Sequence, residues 1–147
     1  MACVMFEKRE GKYDAMFVER NGVREEIACP KQPPIPHDMF HYAVERVLEM
    51  RGFIHRAAEG EGVGFVMAHE AESEAVERLV ETMQADSWSG RPPPADVIDM
   101  FLITCAARAT NPIALTEDAI IAVRAEIDRL AGEWNALPVG ARMTLEV

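Results

Sequence analysis

The chain has few of the residues that commonly carry chemistry or anchorage. Only three of its 147 residues are lysine (Lys8, Lys12, Lys31), and only three are cysteine (Cys3, Cys29, Cys105), none of them in a C-x-x-C pair. An odd, widely spaced set of thiols excludes a disulfide framework and reads as reduced cysteine in a cytoplasmic protein. The first residues, MACVMFEKREG, lack a basic segment followed by an apolar run, so no secretory signal is expected. The longest apolar stretch, Val97 to Ala109, is interrupted by Asp99 and Arg108 and is too short to span a bilayer. G-x-G-x-x-G, G-x-S-x-G and H-E-x-x-H are all absent, and no internal repeat or low-complexity tract is present. Scarce lysine beside abundant arginine and alanine suggests the codon bias of a GC-rich bacterial genome.

What is present is a globular balance, 49% hydrophobic and 27% charged, in a length that buries a core as a single domain spanning 1–147. The net charge of −10 is unevenly placed. Residues 1–52 hold 8 Lys+Arg against 9 Asp+Glu, whereas residues 53–147 hold 7 against 16. Such an acidic half repels a phosphate backbone or an anionic membrane surface, so neither nucleic acid nor membrane is an expected partner.

Residues 3–29 predict an antiparallel meander of Cys3–Lys8, Tyr13–Arg20 and Val23–Cys29. Asn21-Gly22 suits a two-residue hairpin turn, which sets Arg20 opposite Val23, Glu19 opposite Arg24 and Met16 opposite Ile27. Prolines 33, 34 and 36 then force an extended connector. A first helix is expected from Pro36 or Asp38, with Asp38 as N-cap, to Gly52 in a left-handed C-terminal position. After a turn at 56–62, Val63–Ala68 reads as a fourth strand or buried extended segment, and Glu70–Gln84 as a second helix. The breaker-rich stretch Asp86–Pro94 reads as a loop exposing Trp88. Ala95–Thr110 is apolar nearly all round and is expected to be the central buried helix. A fourth helix capped by Thr116 carries Ile120, Val123, Ile127, Leu130, Trp134 and Leu137 at alternating spacings of three and four, a seam expected to pack on the helix before it. Arg142–Val147 alternates like a final strand joining the N-terminal sheet. The fold class is therefore α+β: an antiparallel sheet of three to five strands with about four helices on one face.

All four histidines lie between Ile35 and Glu70. His37, His41 and Glu45 recur at four-residue spacing, which stacks them on one helix face, so two imidazoles and a carboxylate can address one divalent metal, with His55 and His69 in reserve. The bland alternative has His41 pairing with Glu45 along the helix and His37 binding nothing. Gly60-Glu61-Gly62-Val63-Gly64 superficially suggests a phosphate loop, but the spacing is wrong and Glu59 and Glu61 would repel phosphate. Cys29, at a strand end before Pro30, is the thiol to test for reactivity, while Cys105 reads as a small core residue.

Pro36-His37-Asp38-x-x-His41-x-x-Val44-Glu45, followed by Gly52-Phe53 and Ala57-Ala58-x-Gly60, resembles a stretch of small bacterial proteins of unassigned function. The resemblance covers about 25 residues and departs at Ile54-His55, where that pattern carries a Trp-Gly pair. It implies no mechanism.

The leading functional reading is a non-enzymatic interaction or binding module, with a protein partner or a homodimer formed through the sheet edge or the fourth helix. The alternative is a metal-dependent hydrolase acting on a small polar substrate with His37, His41 and Glu45 as ligands. A third is an acidic decoy that mimics nucleic acid.

Overall fold

The computed structural model describes residues 3–20, 22–50, 54 and 71–147. In chain order the elements are β1 (Cys3–Glu7), β2 (Tyr13–Arg20), β3 (Val23–Pro30), α1 (His37–Leu48), α2 (Ala71–Trp88), α3 (Pro94–Ala107), α4 (Glu117–Ala136) and β4 (Arg142–Glu146). The strands form one antiparallel sheet in the order β3-β2-β1-β4, which makes this an α+β fold. The C-terminal strand joins the sheet beside β1 with Val4 opposite Leu145 and Phe6 opposite Met143. The hairpin has the register expected from its turn: Arg20 faces Val23, Glu19 faces Arg24 and Met16 faces Ile27. Gly22 takes a φ of +78°, a conformation that a Cβ would penalise. Asn21, the proposed strand Val63–Ala68 and the glycine run at 60–64 lie outside the described residues.

One sheet face is buried. Val4, Phe6, Met16, Val18, Cys29, Met143 and Leu145 point inward to join a cluster with α1 and the remaining helices. On the other face Phe17 is ringed by the Arg9, Arg24 and Arg142 guanidiniums, whose central carbons lie 5.1–5.7 Å from its ring centroid. Each of these arginines also pairs with a glutamate (Glu7, Glu19 or Glu26), so the face is locally neutralised.

The central helix is α1, not the apolar Ala95–Thr110 segment. Residues 38–45 are all buried, and α1 packs against α2 on one side and α4 on the other. In α3 only Val97, Phe101 and Cys105 are buried, while Leu102 and Ile103 are 44% and 70% exposed. Among the described residues that helix packs on α2 and α4, and an apolar pattern all round says nothing about how many sides will be covered. The seam of α4 is as expected from its spacing, with Ile120, Val123, Ile127, Leu130 and Trp134 buried. Its main partner is α1 rather than the helix that precedes it.

Several expected boundaries moved. Asp38 is not the N-cap: α1 starts at His37 behind Pro36, whose carbonyl accepts Met39 N–H at 2.9 Å, and no side chain caps it. Pro36 holds the N-cap position in an extended conformation, with φ −56° and ψ 149°, and Asp38 is instead buried in the first turn. The helix also ends before Gly52, with Glu49 in the left-handed region at φ 53° and its N–H bonded to Glu45 O. The helix α2 runs on to Trp88, so the breaker-rich loop starts later than its composition suggests. Thr116 caps α4 as expected, its hydroxyl accepting Ala119 N–H at 3.1 Å. Thr116→Ala is expected to cost about 1 kcal/mol in a urea melt; no change would mean that this end of α4 frays in any case.

A candidate metal centre between two helices

Because α1 begins at His37, both His37 and His41 fall within it, one turn apart on the same face. Their rings meet edge to face, with centroids 5.0 Å apart and planes at 76°. That face lies against α2, which contributes Glu77. Glu77 Oε2 is 3.1 Å from His41 Nε2, and Oε1 is 3.9 Å from His37 Nε2. Among the described residues, His37, His41 and Glu77 form a group whose ligand atoms all lie within 4.8 Å of one another, close enough to hold a metal ion. A tetrahedral zinc with bonds of about 2.0–2.1 Å separates its ligand atoms by about 3.4 Å. The cluster therefore closes on an ion by moving side chains about an ångström.

Glu45 is elsewhere. Its carboxylate lies behind His41, with Oε2 3.6 Å from Nδ1, and accepts the Ile54 N–H at 3.2 Å. One imidazole cannot present both ring nitrogens to one ion, so a ring whose Nε2 faces Glu77 leaves Glu45 outside the ligand group. The third ligand atom comes from Glu77, on a different helix. A carboxylate on the far nitrogen of a metal-ligating histidine fixes the tautomer and orientation of the ring. Glu45 has that position. His37 has its own support: Nδ1 is 3.1 Å from Gln32 Oε1 and 2.8 Å from Gln84 Nε2, and the two glutamine amides are bonded to each other. The Gln84 amide nitrogen can only donate, so at 2.8 Å it addresses an Nδ1 lone pair; metal binding at Nε2 requires the other tautomer, with Nδ1–H donated to Gln32 Oε1. His55 and His69 lie outside the described residues.

The cluster is buried at one end and open at the other. His41 and Glu45 are 3% and 0% exposed, whereas His37 and Glu77 are 24% and 32% exposed. Burial on its own would lower the His41 pKa, but the hydrogen-bonded Glu45 and Glu77 carboxylates outweigh it and raise it to about 10. Burial and the neighbouring His41 charge lower His37. Burial pushes Glu77 up, yet the bond to His41 and the imidazole charges bring it below its ordinary value. Without metal the centre is thus an imidazolium held between two carboxylates. A folded-state pKa raised to about 10 contributes stability that is fully present below the unfolded value of about 6.5 and is lost as pH rises through 10. Urea midpoints of metal-free protein are expected to fall between pH 7 and 10, and His41→Gln to flatten that slope. Equal slopes in parent and variant would refute the linkage.

The thiols contribute nothing here. Cys29 is buried, and desolvation together with Asp38 pushes its thiol far above the usual range, so the residue singled out for reactivity is not a thiolate. Cys105 is a buried core residue as expected.

The α+β fold thus brings two histidines and one carboxylate together between α1 and α2. Comparison with family models, with curated proteins and with solved structures found no match. Among the described residues no helix is long and apolar enough to cross a membrane.

Proposed function

We propose that this chain binds one divalent transition metal through His37 Nε2, His41 Nε2 and the Glu77 carboxylate. Two imidazoles with one carboxylate are the donor set of open zinc sites and of non-haem iron(II) sites. The convergence of these three side chains from two helices carries the reading. Three protein ligands leave a coordination position for water, and the exposed flank formed by His37 and Glu77 gives it access. A metal-bound water of lowered pKa is a nucleophile at neutral pH, so hydrolysis of a small polar substrate is the chemistry that such a site supplies. Glu45 acts from behind His41 as a positioning residue. Glu45→Gln is expected to weaken metal affinity by about 10–100-fold while leaving the stoichiometry at one. Elemental analysis of purified protein tests the whole reading and identifies the ion: no bound zinc or iron after equilibration with either would sink it. Parallel His55→Ala and His69→Ala variants show whether a further ligand comes from 55–70.

A second reading, self-association, is favoured by one observation, the exposure of Leu102 and Ile103 on α3 and of Ile121 on α4. Apolar side chains of this size left uncovered on helices mark contact surfaces when they adjoin. Light scattering coupled to size exclusion is expected to give a dimer that Ile103→Glu converts to monomer. A monomeric parent at micromolar concentration would remove this reading.

A further inference from the structure

The proline connector, the end of β1 and the C-terminal end of α4 border an open cavity of about 320 Å³. Lys8, Asp14, Lys31, Gln32, Trp134 and Asn135 line it together with Ile35 and the prolines of the connector. We infer that this cavity binds a small organic monocarboxylate with an apolar or aromatic body.

Size comes first. Small-molecule sites run from about 300 to 1,000 Å³, so this one admits a compact ligand and no more. Charge comes second. Asp14 is almost fully buried; its Oδ1 accepts Arg9 N–H at 2.8 Å and lies 3.6 Å from Lys31 Nζ. Asp14 and Lys31 therefore offset each other, and Lys31 is further held by Arg9 O. Lys8 is different. Its ammonium donates to Trp134 O and Leu137 O, each at 2.8 Å, and sits 5.4 Å from the centroid of the Trp134 ring. No carboxylate pairs with it among the described residues, and two bonds leave one of its three donors to spare. The cavity is left with one uncancelled positive charge in a chain whose net charge is −10. A buried Asp14 disfavours a dianion there, because a second negative charge would face it at close range.

The walls come third. Trp134, Ile35 and the prolines present apolar surface, which an inorganic anion would leave unused. A carboxylate meeting Lys8, with its body against Trp134, uses both features. This inference does not rest on the metal reading, although Gln32 touches both places, lining the cavity and bonding His37.

The test is a titration of the 15N-labelled full chain with benzoate, benzamide and inorganic phosphate, followed by two-dimensional NMR. The Trp134 indole N–H is assigned with a Trp88→Phe variant. Benzoate is expected to give saturable shifts at that indole and at the Lys31, Gln32 and Asn135 amides, with at least about tenfold higher affinity than benzamide. Lys8→Gln should remove that preference. Equal affinity for benzamide, or no saturable shift at these residues, would overturn the proposal. Phosphate that reproduces the benzoate shifts would also overturn it, by showing an anion site with no use for the organic body. The benzoate and benzamide comparison on the parent protein decides the matter even if Lys8→Gln fails to fold.

Discussion

Replacing His41 with alanine is expected to lower the affinity for zinc or iron(II) by at least about 100-fold, because loss of an outer partner alone costs about 10–100-fold. The geometry explains why His41 should matter most. Its Nε2 is the ring nitrogen nearest Glu77, and Glu45 holds the opposite side of the ring. The variant has a second consequence, since Glu45 is fully buried and would lose its imidazolium partner. Removing one member of a buried ion pair leaves the other uncompensated and costs stability. A folding defect could therefore mimic loss of the site. His37→Ala separates the two effects: His37 is partly exposed and its backing comes from neutral glutamines, so the fold should tolerate the change while the affinity still falls by a similar factor. Isothermal titration of both variants, with melts recorded alongside, reads the result. A His37→Ala protein that binds metal as the parent does would show that His37 is not a ligand and overturn the three-residue site.

Asp86→Ala is expected to destabilise the protein by about 3–5 kcal/mol, the largest effect foreseen for a residue remote from the metal centre. Asp86 on α2 is fully buried and makes a bidentate pair with Arg124 of α4, at 2.9 and 2.7 Å. Arg124 also donates to Pro92 O at 2.6 Å, so a single guanidinium ties α2, α4 and the segment before α3 together. The backbone carbonyl of Asp86 adds to this by accepting the N–H groups of Ser89 and Arg91. Truncating the carboxylate leaves a nearly buried cation with no compensating charge at that position. By contrast, the bidentate Arg91–Asp128 pair nearby is more exposed, and its loss should cost no more than about 1 kcal/mol. The double variant Asp86→Leu/Arg124→Met tests the origin of the effect, since replacing both partners by apolar groups removes the stranded charge. It should recover most of the loss. Urea unfolding of the three proteins reads this directly, and an Asp86→Ala cost below about 1 kcal/mol would show that water enters the site.

Much of the sheet and of α4 was legible in the chain. The Asn21-Gly22 turn carries its own geometric requirement, and the alternation after it fixes which residues face each other, so the register needed no information from elsewhere. The seam of α4 was equally plain, because spacings of three and four admit one buried stripe. The candidate site was half legible. His37 and His41 are neighbours along one helix, and local spacing brings them together whatever else the chain does. Glu45 shares that spacing and was drawn into the ligand set for the same reason. Yet spacing cannot say which nitrogen of His41 faces a neighbouring helix. Glu77 was missed because it sits in a helix rich in glutamates, where its only distinction is a place at the border of the apolar stripe formed by Val76, Leu79, Val80 and Met83. Gln84, two turns further along the same face, and Gln32 carried no signal at all.

The sequence by itself determined the local elements: a hairpin with a set register, a proline connector, two histidines one turn apart and an apolar seam on the last helix. Each depends on residues a few positions apart, where backbone geometry leaves few choices. Only the tertiary structure decided that α1 is the central helix, that α3 keeps Leu102 and Ile103 exposed, and that Glu77 rather than Glu45 meets the two histidines. Those outcomes depend on which faces of α1 and α2 are pressed together. The docking is set by the summed burial of the whole core, which no short run of residues encodes.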